Sequence, residues 1–224
     1  MTKVFIIGAT GLVGGEFLKA VDASSKYTGV TTLTRRQLPQ DVSSKVNAIV
    51  EADTSKWPTI IQSEQDPNVF FSGLGTTKAD AGGLDKQYKI DHDLNLECAK
   101  AAKKAGFTTY ALISSDLASS SSRFGYLKMK GELEDHVSEL GFAKCYFFRP
   151  GLLLGDRTKA KAPIAEAIAG KFHRTFMSKY MMKPIYGSEV AKAVLRVVEQ
   201  PPAGSSNPRV FDATELLDIS EEKN

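Results

Sequence analysis

"KVFIIGATGLVGGEF", Lys3 to Phe17, opens on an apolar, β-branched run, continues with Gly8, Gly11 and Gly14, and ends in a second apolar stretch. Val4–Ile7 reads as a strand buried on both faces, and Leu12–Val21 carries its apolar residues at helical spacing. Between them, Gly8 lets the chain turn sharply off the strand. Gly11 lets backbone approach a ligand with no Cβ in the way, and Gly14 lets the helix pack close to the sheet. The helix N-terminus then points free N–H groups at an anion, and Thr10 adds a hydroxyl donor. The spacing is GxxGxxG rather than GxGxxG. Following a strand and opening a helix, it predicts a cradle for the pyrophosphate of a dinucleotide.

The rest of the chain repeats that alternation. Strands are expected at Val30–Leu33, Val46–Val50, Val69–Ser72, Tyr110–Ile113, Cys145–Phe148 and Val210–Phe211. Helices are expected at Trp57–Gln62, Asp85–Ala105, Tyr126–Leu140 and Ser188–Glu199, with Gly106, Gly141 and Pro201-Pro202 as stops. The tail from Asp218 is polar and is expected to fray. Strand and helix alternating about every 25–35 residues predicts an α/β, Rossmann-like, doubly wound parallel sheet. Residues 1–224 are read as one dinucleotide-binding domain, with a small substrate or lid segment at 152–186.

Composition narrows the function classes. A net charge of +3 is too small to argue for nucleic acid. Cys98 and Cys145 lie far apart with no CxxC, which argues against a disulfide framework and fits a reducing compartment. His92, His136 and His173 have no ligand spacing, so no metal site is expected. No apolar run approaches the roughly 18 residues of a membrane span. A first strand from about Lys3 leaves no room for a cleavable presequence.

The end of the second strand selects the dinucleotide. An NAD site carries an acid there for the ribose 2′-OH; this chain reads "TLTRRQL", with Arg35 and Arg36. Two guanidinium groups suit a 2′-phosphate and predict NADP(H). Asp53, after the third strand, either accepts a hydrogen bond from an adenine amino group or caps the turn begun by Thr54 and Ser55. Gly73-Leu74-Gly75, after the fourth strand, falls where backbone would pass the cofactor.

"SSDLASSSSRFGYLKMKGELE" carries the chemistry. Tyr126 and Lys130, four apart, share a helical face, whereas Lys128 does not. A cation beside a phenol favours the phenolate. Such a tyrosine passes a proton to or from a carbonyl or alcohol oxygen while a nicotinamide moves hydride. Ser115, or Ser114, is placed to hold that oxygen.

Together, GATGLVGG, TRR, SS…YLKMK and RPGLLLGDR resemble an atypical short-chain dehydrogenase/reductase. The nearest likeness is to the Tat-interacting-protein-like oxidoreductases, and among them to the small fungal mitochondrial proteins. "TTKADAGGLDKQYKIDHDLNLECAKAAKKAG" and "SRFGYLKMKGE" carry that likeness, which runs from Val4 to about Asp218. The resemblance implies NADP(H) lined by Thr10, Gly11, Leu12, Val13, Arg35, Arg36, Leu74 and Gly75. It implies Tyr126 as proton donor and acceptor, with Lys130 also holding the nicotinamide ribose. Arg149, Pro150, Gly151 and Leu153 would shape the nicotinamide pocket. Related enzymes carry Asn where this chain has Asp in Ile90-Asp91. The resemblance names no substrate beyond a carbonyl compound, and it implies a peripheral, cytosol-facing place on the mitochondrial outer membrane. A regulatory NADPH-binding protein with little turnover is the alternative reading.

Arg157–Lys183 is the basic stretch, with Arg157, Lys159, Lys161, Lys171, Arg174, Lys179 and Lys183 against Glu166. Phe172, Phe176 and Tyr180 share a helical face within it. It reads as a lid over the substrate, as a surface that docks on anionic lipid, or as both.

Overall fold

A computed structural model describes residues 2–155, 183–202, 204 and 206–222. The basic stretch up to residue 182 and most of the expected lid lie outside the described residues. The element order is β1 (Thr2–Ile7), α1 (Leu12–Ala23), β2 (Tyr27–Thr34), β3 (Val46–Val50), α2 (Trp57–Gln62) and β4 (Val69–Ser72). It continues with α3 (Lys78–Ala81), α4 (Leu84–Tyr88), a π-helical segment (Lys89–Leu94) running into α5 (Asn95–Ala105), β5 (Thr109–Ile113), α6 (Gly125–Glu139) and β6 (Lys144–Phe148). The last described elements are β7 (Leu153–Leu154), β8 (Ile185–Tyr186), α7 (Gly187–Glu199), β9 (Arg209–Phe211) and α8 (Ala213–Glu221).

Seven strands form one sheet in the order β3-β2-β1-β4-β5-β6-β9, and every pairing is parallel. The fold is therefore the expected Rossmann-like α/β arrangement. Alternate residues of each strand feed opposite faces. Val4, Ile6, Phe71, Ala111 and Phe148 join α1 and α7 on one side. Phe5, Ile7, Phe70, Leu112 and Phe147 join α2, α5 and α6 on the other. On that second face Phe70 stacks between Phe5 and Tyr110, with ring centroids 5.4 and 5.6 Å away.

Two expectations change. The single helix expected from Asp85 to Ala105 instead contains the wider π turns of Lys89–Leu94. Such a turn misaligns a backbone carbonyl, and the Asn95 side chain meets it by donating to Asp91 O at 3.2 Å. The C-terminal stretch does not fray from Asp218, because α8 runs to Glu221. Asp212 caps it by accepting from Thr214 N and Glu215 N, while Glu215 reaches back to Asp212 N. Leu216 is buried in the layer that also holds α7.

Parallel registration puts all the strand ends on one edge. Ile7 is level with Leu33 and Ser72, Ser72 with Leu112, and Leu112 with Phe147. The chain crosses itself there with little clearance. Gly73 N donates to Ile7 O at 3.0 Å, and Gly8 sits at φ +81°. A Cβ on Gly14 would lie 2.2 Å from Gly8 O, where neither backbone has room to yield. Gly14→Ala is expected to destabilise the fold by about 1–3 kcal/mol, seen as a lower urea midpoint at unchanged slope.

Candidate active site

The residues singled out in the sequence follow six successive strands, β1 to β6, at this edge. Gly8, Thr10 and Gly11 form the turn after β1, and Gly11 N donates to Gly8 O at 2.9 Å. Gly11 is exposed at the start of α1, and no side chain caps that helix. Its first N–H groups therefore remain available to an anion. Leu12 is half-buried, and Val13 and Gly14 are buried. A Cβ on Gly8 would lie 2.4 Å from Gly73 C, so the cradle exists only as a glycine turn. These features fit a dinucleotide pyrophosphate.

Arg35 and Arg36 follow β2 directly and are both exposed. Thr34 Oγ1 donates to Arg36 O at 2.7 Å and holds the turn that carries them. Asp53 caps the short turn at Thr54–Lys56, accepting from Ser55 N at 3.0 Å and Ser55 Oγ at 2.6 Å. Those bonds, led by the Ser55 hydroxyl, hold its carboxyl below the usual range. Of the two readings of Asp53, the cap is the one seen in place.

Gly73, Leu74 and Gly75 leave β4 and are kept in shape by α4 and the π segment. Asn95, fully buried, accepts from Ser72 Oγ at 2.5 Å and donates to Leu74 O at 3.1 Å. Asp91 Oδ1 accepts from Thr76 N at 2.7 Å. Gln87 donates to Thr76 O at 2.8 Å and, more weakly, to Asp91 Oδ2 at 3.4 Å.

Helix α6 brings Tyr126 and Lys130 to the end of β5. Tyr126 is 40% exposed, whereas Lys130 is 3% exposed. Lys130 Nζ donates to Ile113 O at 3.0 Å. Burial pushes its ammonium below the ordinary lysine range, and the charges of Asp91 and Glu134 oppose that push. Lys128, by contrast, lies on the solvent side, 3.7 Å from Glu132. The helix sits close to the serine loop, because a Cβ on Gly131 would lie 2.2 Å from Ser119 C. Ser115 is half-buried; Ser114 is buried, and its hydroxyl has no partner among the described residues. From β6, Arg149 forks onto the buried carboxylate of Glu134, with Nε to Oε1 at 3.0 Å and Nη2 to Oε2 at 2.5 Å. Pro150 is buried behind it, with Gly151 and Leu153 half-buried.

No family model matches the chain. Curated relatives do. Protein FMP52, mitochondrial, of Saccharomyces cerevisiae is 43% identical over 220 residues, covering 96% of this chain and 95% of that protein. Its namesake in Debaryomyces hansenii is 44% identical over 212 residues, covering 93% and 92%. The Emericella nidulans protein is 39% identical over 236 residues, covering 99% and 100%. The chain belongs to the FMP52 family. Its relatives are named as mitochondrial proteins.

Solved structures confirm the FMP52 fold from a greater distance. A short-chain dehydrogenase/reductase of Saccharomyces cerevisiae superposes with a TM-score of 0.71 at 14% identity, covering 98% of this chain and 99% of that one. The UDP-glucose 4-epimerase of Thermotoga maritima gives the same TM-score and identity, covering 98% and 82%. The enzyme WbmH of Bordetella bronchiseptica, solved with NAD+, gives 0.71 at 16%, covering 97% and 80%.

Sequence reasoning gave no role to the polar residues packed behind this edge. Asp91, Asn95 and Gln87 recur four apart on one helical face. Polar residues at the spacing of a buried stripe are the signal that could have found them. Glu134, four beyond Lys130, belongs to the same kind of pattern.

Proposed function

We propose that this chain is an NADPH-dependent oxidoreductase of the short-chain dehydrogenase/reductase type, acting on a carbonyl compound. The observation that carries the reading is the meeting, on one sheet edge, of the Gly8–Gly14 cradle and the buried Lys130, bonded to Ile113 O one helical turn from Tyr126. The fold it shares with structures solved with NAD+ supports a nicotinamide cofactor. The Arg35-Arg36 pair supports the phosphorylated form. The motifs shared with the Tat-interacting-protein-like oxidoreductases point the same way.

In this reading the α1 N-terminus and Thr10 hold the pyrophosphate, Arg35 and Arg36 the 2′-phosphate, and Leu74-Gly75 the flank of the cofactor. Pro150, Gly151 and Leu153 wall the nicotinamide end. When bound, the nicotinamide supplies a hydride to the carbonyl carbon. Tyr126 gives its hydroxyl proton to the carbonyl oxygen and regains one from solvent. Ser115, or Ser114, donates a hydrogen bond to that oxygen and orients it. Lys130 presents positive charge beneath the tyrosine and a donor toward the cofactor ribose. Lys130 and Glu134 are buried in a balanced set of charges, a costly arrangement for a surface helix and one that favours catalysis over pure NADPH sensing. The sensor reading is the one to adopt if tight NADPH binding comes with no turnover on a carbonyl panel.

The same reading places the protein on the cytosolic face of the mitochondrial outer membrane, as a peripheral protein. The mitochondrial names of the relatives and the basic, aromatic 157–183 stretch support it. No described helix is long and apolar enough to cross a membrane. Replacing Lys171, Arg174, Lys179 and Lys183 by Gln is expected to abolish co-sedimentation with anionic vesicles. Unchanged sedimentation removes this surface from the proposal.

Arg35→Ala is expected to weaken NADPH binding about ten- to a hundredfold, the worth of one charge-assisted hydrogen bond, while leaving NADH nearly unchanged. An equal loss for both cofactors would show that Arg35 does not read the 2′-phosphate. Tyr126→Phe keeps the ring and deletes the acid. Single-turnover NADPH oxidation should fall by about 10²–10⁴-fold at nearly constant NADPH affinity. A wild-type rate in that variant would remove Tyr126 from the mechanism.

A further inference from the structure

Lys130 is buried with an uneven share of partners. Glu134, one turn further along α6, is engaged bidentately by Arg149, so its charge is largely matched. Arg149 also feels the charges of Asp116 and Asp135. Ile113 O supplies a dipole rather than a charge. Asp91, on the π segment packed against α6, is the remaining buried carboxylate beside Lys130 among the described residues: Asp91 bonds the exit of β4, and Lys130 bonds the end of the neighbouring strand β5. The next acid along that segment, Asp93, is exposed and bonded to His92, whose other ring nitrogen meets His136. Burial pushes the Asp91 carboxyl up and the Lys130 ammonium down, and each group's charge opposes the push on the other.

Asp91 also has a structural hold on the cofactor side. Its carboxylate accepts from Thr76 N, and it faces Gly75 so closely that a Cβ there would lie 3.6 Å from Asp91 Oδ2. We propose that Asp91 is a positioning residue: one carboxylate supplies the counter-charge for Lys130 while pinning the Gly73–Thr76 loop against which the cofactor would lie. Lysine charge and loop geometry are thereby tied to one side chain. The cofactor half of this assignment rests on the NADPH reading above; the Asp91–Lys130 coupling does not.

Asp91→Asn separates the two roles, since the amide oxygen still accepts from Thr76 N while the charge is gone. In the unliganded protein, labelled with 13C at lysine Cε and assigned through Lys130→Met, Asp91→Asn should move the Lys130 titration to lower pH. Lys130→Met should move the Asp91 carboxyl titration to higher pH, because the coupling is reciprocal. That second measurement decides the matter should Asp91→Asn fail to fold. In NADPH fluorescence titrations, Asp91→Asn should lose about tenfold in affinity or more at an alkaline pH where the wild type still binds, as the charged donor is lost. Gln87→Ala removes the bond to Thr76 O and one weak donor to Asp91 but leaves both charged groups in place, and should weaken binding at acid and alkaline pH alike. Unmoved Lys130 and Asp91 titrations would overturn the counter-charge role. Moved titrations without NADPH binding at any pH would instead retire the cofactor reading and leave the coupling standing.

Discussion

Two stretches of backbone cross at the carboxyl edge of the sheet with no space for a side chain between them. The turn after β1 runs against the exit of β4, and α1 presses on that turn from the other side. At Gly8 a methyl group would fall 2.4 Å from a carbonyl carbon, and at Gly14 2.2 Å from a carbonyl oxygen. Much of the site depends on this contact. It brings the start of α1 down onto the strand ends, so that its unpaired N–H groups open at the edge. It also sets the depth at which Gly73-Leu74-Gly75 passes. This edge is thus a product of close backbone packing, with side chains added around it.

A second constraint lies on the opposite side of the same edge, where charge is buried. Lys130, Glu134 and Asp91 are each 3% exposed or less. Isolated, any one of them would be expensive to desolvate. Together with the guanidinium of Arg149 they form an alternating series, two acids and two bases, drawn from the π segment, α6 and β6. Such a set is costly to assemble and easily upset by loss of one member.

The two constraints meet through the π segment. Its widened turns carry Asp91 toward the β4 exit, and Asn95 holds Ser72, Leu74 and Asp91 O together. The segment thus ties the Gly73–Thr76 loop to the buried surroundings of Lys130, with a less regular hydrogen-bond ladder along its own axis.

The parallel α/β sheet and the glycine cradle were legible in the sequence, because both follow from local pattern. Strand and helix periodicities are set by neighbours in the chain, and a glycine turn between strand and helix has few other uses. Tyr126 and Lys130 were legible as a pair because four residues make one helical turn. The tail helix was misread because polar composition suggested fraying, while its stability comes from the Asp212 cap and from Leu216 packing in the α7 layer. Asp91 was legible only as a departure from a motif. That it shares Lys130's buried surroundings depends on α6 and the π segment packing together, about forty residues apart in the chain. Which serine hydroxyl is left unpartnered, and which acid is already claimed by an arginine, likewise follow from contacts between distant elements. Local pattern determines what each segment can be; desolvation and packing across the sheet edge decide which of its polar groups are left to act.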